Sequence, residues 1–186
     1  MHITTLQQGR PASMEGRLAV EAACYTLLDE LGIPYGRVDH DEAATIAACE
    51  AVDEVLGTVI CKNLFLCNRQ KTMFYLLLIE GDKVFKTKYL SAQLGCSRLS
   101  FASPEDMERL LGVTPGSATV LALMNDHAGA VQLVIDRPVT KQEFLGCHPC
   151  KNTSSLKIRT ADILERFLPA VSHAPIYVDL PDEEAP

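Results

Sequence analysis

The sequence predicts an α/β fold: a single domain in which a mixed, mostly antiparallel sheet carries flanking short helices. Three observations predict it. The 186 residues, 47% of them apolar and 22% charged, suffice for one core and are too apolar for a disordered chain. Short apolar runs of strand length are interspersed with stretches of three- and four-residue periodicity. Too few helices separate consecutive strands to supply the crossovers of a doubly wound parallel sheet.

In chain order, residues 1–12 read as a loose leader. From Ser13, a potential cap, Val20, Cys24, Leu27, Leu28 and Leu31 recur at helical spacing until Gly32 and Pro34 stop the run. Residues 35–38 form a short strand candidate, and the Ala- and Glu-rich stretch 41–56 reads as a helix closed by Gly57. Residues 58–67 are an apolar run broken by Lys62-Asn63. Residues 73–79 are a continuous apolar strand buried on both faces. Glu80-Gly81-Asp82 is a turn signal leading to Val84-Phe85. Residues 89–94 read as a short helix ended by Gly95, and 99–101 as a strand. Ser103-Pro104-Glu105-Asp106 combines a cap, a first-position proline and first-turn acids, so a helix runs to Leu111 and stops at Gly112. Residues 119–124 and 131–135 read as strands, 136–149 as connecting loop, 153–158 as the last strand, and Thr160 as the cap of a helix over 161–168. The folded unit is therefore 13–170, followed by a frayed tail over 171–186 rich in proline and acid.

Composition excludes several classes. Eleven Gly and ten Pro without period rule out collagen-like or low-complexity chains. No apolar run approaches the roughly 20 residues of a membrane span, and the N-terminus has no apolar stretch of signal-peptide length, so the expectation is a cytoplasmic protein without a membrane partner. Seven irregularly spaced cysteines fit reduced thiols and no disulfide framework. The net charge of −7 is unevenly spread. Residues 1–59 carry three basic and ten acidic side chains, 60–98 carry seven basic (Lys62, Arg69, Lys71, Lys83, Lys86, Lys88, Arg98) and two acidic, and 99–186 carry seven basic and twelve acidic. A basic middle block can meet phosphates locally, or can be no more than solvated strand edges and a lysine-rich turn.

Two segments stand out chemically. Lys62 interrupts a run that otherwise reads as core strand, so its ammonium either snorkels to a sheet edge or points into a cleft, where an anion such as phosphate would hold its charge. Gly146-Cys147-His148-Pro149-Cys150-Lys151-Asn152-Thr153 is a tight loop whose backbone amides can converge on an anion or a polarised carbonyl. Its two cysteines raise zinc or thiol-redox chemistry, but no second Cys/His pair stands at matching spacing, and a redox CxxC opens a helix whereas this one precedes a strand. Thr114-Pro115-Gly116-Ser117 and Asn125-Asp126-His127 supply further polar loop tips, read for His127 as hairpin chemistry. His40, between Asp39 and Asp41, reads as a solvated loop histidine. No nucleophile elbow, P-loop, HExxH or dinucleotide fingerprint occurs.

Taken together, Cys61-Lys62-Asn63-Leu64-Phe65-Leu66, Leu99-Ser100-Phe101-Ala102-Ser103-Pro104-Glu105, Leu110-Leu111-Gly112-Val113-Thr114-Pro115-Gly116-Ser117 and Gly146-Cys147-His148-Pro149 with Asn152-Thr153 resemble the YbaK/prolyl-tRNA-synthetase-associated editing domain family, and most closely its free-standing ProX-type deacylases. The resemblance covers roughly residues 15–168. It implies hydrolysis of a wrong amino acid, typically alanine, from tRNA specific for proline, with misacylated tRNA as partner, prolyl-tRNA synthetase as a further one, and no cofactor or metal. It places the family's invariant lysine on Lys62, which would hold the 3′-terminal adenosine and its phosphate and support the transition state, and puts Asn63 beside it for substrate positioning. It gives the amides of Gly146–Pro149 the ester carbonyl, and makes His148 a wall of the amino-acid pocket. Cys147, Pro149, Asn152, Thr153, Gly116 and Ser117 complete the expected substrate contacts. This loop has two residues between glycine and proline where synthetase-inserted relatives have three. The competing readings are a non-catalytic tRNA-binding module on the same fold and a cysteine-based zinc or redox protein.

Overall fold

The computed structural model describes residues 1–43 and 45–182. Ala44, in the second expected helix, and residues 183–186, including Glu183 and Glu184 of the expected tail, lie outside the described residues. The class is mixed α/β, as the sequence predicts, but the strands divide into two sheets. One is antiparallel throughout and runs β1 (Gln7–Gln8), β2 (Tyr35–Asp39), β8 (Ser154–Arg159), β7 (Phe144–Cys147). The other runs β5 (Leu99–Phe101), β3 (Lys62–Asn68), β4 (Phe74–Ile79), β6 (Val131–Asp136), β9 (Ile176–Val178). In it β5, β3 and β4 pair antiparallel, whereas β4–β6 and β6–β9 are parallel.

The helices that shape the site follow from their end signals. Helix α1 (Ala19–Glu30) begins six residues after the cap expected at Ser13, because Gly16 takes a left-handed φ of +76° and Ser13 Oγ instead accepts the Glu15 N–H. Helix α2 (Ile46–Leu56) starts where Thr45 accepts the Ala48 N–H, and stops at left-handed Gly57. Helices α3 (Thr87–Leu94) and α4 (Pro104–Leu111) end at Gly95 and Gly112, and Ser103 caps α4 through the Asp106 N–H. A short α5 (Arg137–Thr140) precedes β7, and a helical run over 160–170 (α6) is π-helical over Ile163–Phe167.

Several expectations are corrected. Residues 119–124 are a 3₁₀ helix, Val120–Asn125, not a strand: Thr119 Oγ1 accepts the Leu121 N–H, and a short buried apolar run has no period that distinguishes the two. The connecting stretch 136–149 holds α5 and β7. Within the expected leader β1 pairs with β2, and within the expected tail β9 extends the second sheet in parallel. Both are short edge strands whose sequences carry little pattern, so pairing decided them.

Strand β4 is buried on both faces, as its sequence requires. Phe74, Leu76 and Leu78 enter a large core shared with α1, the 3₁₀ helix, β7, β8 and α6; Tyr75, Leu77 and Ile79 enter a second core with Leu90, Leu99, Val178 and Leu180. Besides this shared core, a backbone bridge joins the two halves. Ile60 bridges Gly146 in parallel, and the Cys61 N–H donates to the Gly146 carbonyl at 3.0 Å. A Cβ on Gly146 would lie 2.7 Å from the Val59 carbonyl oxygen and 2.8 Å from the Ile60 Cα, so only glycine permits this approach. Gly81 presses the same dipeptide from its other side, where a Cβ would stand 2.6 Å from the Ile60 carbonyl oxygen.

Gly146→Ala is therefore expected to cost about 1–3 kcal/mol through overpacking against backbone that cannot yield. A urea titration should show a lower midpoint at an unchanged slope.

Candidate functional site

The junction of the sheets sets the first side chain. Lys62 opens β3 directly after the Ile60–Cys61 contact with Gly146. It takes the cleft orientation, not the edge: its stem is exposed, but it lines a cavity of about 870 Å³, and its Nζ donates to the Lys83 carbonyl at 2.9 Å. Lys83 is itself buried. Its ammonium binds Asp136 at 2.7 Å, the Leu180 carbonyl at 2.8 Å and Asp182 at 3.0 Å. Burial works against that cation, but Asp136 and Asp182 outweigh it and raise its pKa. The carbonyl that tethers Lys62 thus belongs to a residue pinned on three sides.

His148 stands across the cavity, on the loop between β7 and β8, and also lines a smaller cavity of about 260 Å³. Its Nδ1 lies 2.9 Å from the Ser154 carbonyl oxygen, which can only accept, so Nδ1 carries the proton and Nε2 is the bare nitrogen. Behind it, His40 Nδ1 donates to the Asp41 carbonyl at 2.8 Å, which leaves Nε2 to accept from Ser155 Oγ at 2.8 Å. Burial holds the His148 pKa below the usual imidazole range, with His40 pushing the same way against the Ser154 hydrogen bond. His40 is therefore not the solvated loop residue expected: it is 6% exposed and anchored from Asp41 and Ser155.

The two cavities are contiguous, sharing Cys61, Gly116 and His148. Asn152 lines the larger and Asn63 the smaller, and each has a buried Oδ1 with no partner among the described residues. Both oxygens are closed off from solvent, so each is an unmet acceptor inside the cavity wall and not on its surface. The larger cavity is also lined by Glu50, Asp53, Glu80 and Asp82, four carboxylates beside one lysine. Burial raises the Asp53 carboxyl, offset in part by the Ile60 N–H. Sequence reasoning missed this acidic wall. Its residues come from α2 and the 80–82 turn, which the order of the chain does not bring together.

Of the remaining expected contacts, Gly116 lines both cavities and the others line neither. Gly146 and Cys147 do not line either cavity: Gly146 is pressed under Ile60, and the Cys147 side chain enters the large core, where burial pushes its thiol well above the usual range. Strand alternation from the buried Leu145 explains this correction. Pro149 is buried and lines neither cavity; the Thr153 carbonyl accepts the His40 N–H, and Ser117 Oγ accepts the Asn152 N–H at 3.2 Å. Gly116 is left-handed at φ +86°, its would-be Cβ 3.2 Å from the Asn152 side-chain nitrogen, so Thr114–Ser117 shapes the Asn152 loop. Cys150 is buried and all seven cysteines are free thiols; among the described residues no group of three His, Cys, Asp or Glu side chains is arranged to hold a metal ion.

Comparisons with known proteins give the family. The family model described as an aminoacyl-tRNA editing domain matches residues 40–165, which include both Lys62 and His148. The chain is 31% identical over 143 residues to the prolyl-tRNA editing protein ProX of Acetoanaerobium sticklandii, covering 77% of this chain and 87% of that protein. It is 32% identical over 151 residues to the prolyl-tRNA synthetase associated domain-containing protein 1 of Danio rerio, covering 80% and 81%. The solved structure of a candidate trans-editing enzyme for prolyl tRNA synthetase superposes with a TM-score of 0.65 at 13% identity, over 88% of this chain and 99% of that one, a likeness of fold.

A depressed imidazole pKa has a definite sign. The unfolded chain takes up the proton first, so the contribution of His148 to stability is present above about pH 6.5 and is lost as the pH falls below it. An NMR titration of the His148 ring should show a midpoint below that of a free imidazole, and a midpoint at or above it contradicts the buried, Nδ1-protonated assignment.

Proposed function

The chain belongs to the aminoacyl-tRNA editing domain family, and from that premise we propose that it is a trans-editing deacylase that hydrolyses a mischarged small amino acid, alanine first, from tRNA specific for proline. The observation that carries the reading is the cavity that joins the tethered Lys62 ammonium, the neutral His148 ring and the orphaned Asn152 Oδ1.

The ester that links an amino acid to tRNA is already activated, so modest stabilisation is enough. Water attacks the carbonyl carbon, negative charge grows on its oxygen, and the terminal ribose hydroxyl leaves with the proton. Lys62 supplies a fixed positive charge for that oxygen; a preorganised donor of this kind is worth about 3 kcal/mol. Held by the Lys83 carbonyl, the ammonium needs little reorganisation as charge develops. His148, neutral and with a bare Nε2, accepts a hydrogen bond from the water or from the ribose hydroxyl. The four carboxylates suit the α-ammonium and the ribose hydroxyls of the aminoacyl end.

The smaller cavity suits the amino-acid side chain. Leu64, Phe65, Ala102, Met107 and Ala118 make it apolar, and Asn63 stands in its wall. Size exclusion of one or two methylenes gives only about 1–3 kcal/mol, which is why aminoacylation needs a second sieve and why cysteine and serine are the competitors to test against alanine. Prolyl-tRNA synthetase, the source of such mischarged tRNA, is the protein partner this reading implies, and the cytosol its place of action.

Incubation with tRNA carrying Ala, Cys, Ser, Thr or Pro tests the proposal. Alanine should be released fastest and proline spared. Lys62→Ala should lower deacylation by at least 10²-fold while the thermal midpoint stays within a few degrees, because the side chain is exposed and its loss empties no core. Full activity in that variant removes the assignment.

A further inference from the structure

Lys62 stands exposed at the start of β3 on a flexible four-carbon stem, so its ammonium keeps one place in the cavity only if something fixes it. Among the described residues the Lys83 carbonyl is its one hydrogen-bond partner, at 2.9 Å. Two of its three N–H groups are left to meet a substrate. The placement of the ammonium therefore depends on what holds a single main-chain oxygen.

That oxygen lies in irregular chain: residues 80–86, between β4 and α3, form neither helix nor strand. The start of the segment is fastened, Glu80 by Gln142 at 3.1 Å and Gly81 by its press on the Ile60 carbonyl. Farther on the anchor is Lys83 itself, the one buried residue of 80–89. Its side chain lines neither cavity and runs to Asp136 at the end of β6, to the Leu180 carbonyl and to Asp182. The other Asp136 oxygen accepts the Leu180 N–H at 2.9 Å, so strand β6, the C-terminal segment and the 80–86 loop are tied at one carboxylate. The Lys83 and Asp136 side chains are 4% and 0% exposed. Desolvation offsets most of the attraction in so buried a pair, and stability alone is a weak reason for having one.

We infer that Lys83 and Asp136 are positioning residues of the editing reaction: their buried pair, closed over by the C-terminal segment, holds the Lys83 carbonyl in place and through it the Lys62 ammonium. Neither side chain touches substrate. The inference rests on the editing reading above and adds a part of the molecule, the chain beyond β9, on which the rate of that reaction depends.

The main-chain carbonyl survives substitution of Lys83, so side-chain variants test the anchor and not the acceptor. Lys83→Met alone leaves Asp136 buried without its cation and endangers folding. It is therefore combined with Asp136→Asn, whose side-chain oxygen still accepts the Leu180 N–H. In single-turnover hydrolysis of misacylated tRNA, this charge-neutral pair should lower the rate constant about tenfold, with half-saturation within twofold of wild type. Placed in a Lys62→Ala background, the same pair should cost less than twofold, because groups that act as a unit are not additive. By NMR the order parameter of the Lys62 side chain should fall while that of the β3 backbone is unchanged. An unchanged rate, an equal loss with and without the Lys62 side chain, or an unchanged Lys62 order parameter overturns the positioning role and leaves the editing reading standing. A wild-type protein that hydrolyses no misacylated tRNA overturns the editing reading and this role with it.

Discussion

A backbone contact without side chains organises this molecule. Gly146 of one sheet lies against Val59-Ile60 at the head of the other, close enough that a methyl group would overlap the Ile60 Cα. The Cys61 N–H completes the join through the Gly146 carbonyl, and Gly81 closes on the same dipeptide from behind. Two glycines thus press on the successive peptide units either side of the Ile60 Cα. From that grip β3 leads directly into Lys62, and β7 leads two residues on into His148. The ammonium and the imidazole face a common cavity because their strands are locked together at this point. Gly146 itself lines neither cavity; what it fixes is the approach of the two strands.

Around that joint, each functional group is held by something more deeply buried than itself. Lys62 is exposed, but its partner carbonyl belongs to Lys83, which is fixed by Asp136 and the Leu180 carbonyl. His148 is oriented by the Ser154 carbonyl and backed by Ser155 and His40. Asn152 is positioned by Ser117 and by the left-handed turn at Gly116. Breaking a buried pair such as Lys83–Asp136 leaves an unpaired charge in the interior, a penalty of about 3–5 kcal/mol. Through that pair the C-terminal segment, which closes the second core with Val178 and Leu180, reaches Lys62.

Much of the local structure was legible in the chain. The glycines at 57, 95 and 112 stop their helices in left-handed conformations, as their positions imply, and Ser103-Pro104 starts α4. The uninterrupted apolar run of β4 is buried on both faces because a central strand between two cores needs no polar face. Less was legible where pairing partners are distant. Gln7–Gln8 and Ile176–Val178 are strands only because β2 and β6 offer open edges, and residues 120–125 are helical because Thr119 caps them inside the core. The split into two sheets has no local signature, since strand sequences record which face is apolar and not which neighbour they join.

The same division holds at the site. Sequence alone determined that Lys62 is anomalous in an apolar strand and that the Gly146–Pro149 bend is a constrained loop, because charge within a hydrophobic run and glycine near proline are properties of adjacent residues. Only the tertiary structure decided that Cys147 turns into the core, that His40 is buried behind His148, and that carboxylates from α2 and the 80–82 turn share a cavity with Lys62. Each of those facts depends on which side of a strand a residue faces and on contacts across as many as 115 positions, and both are fixed when the sheets pack, not before.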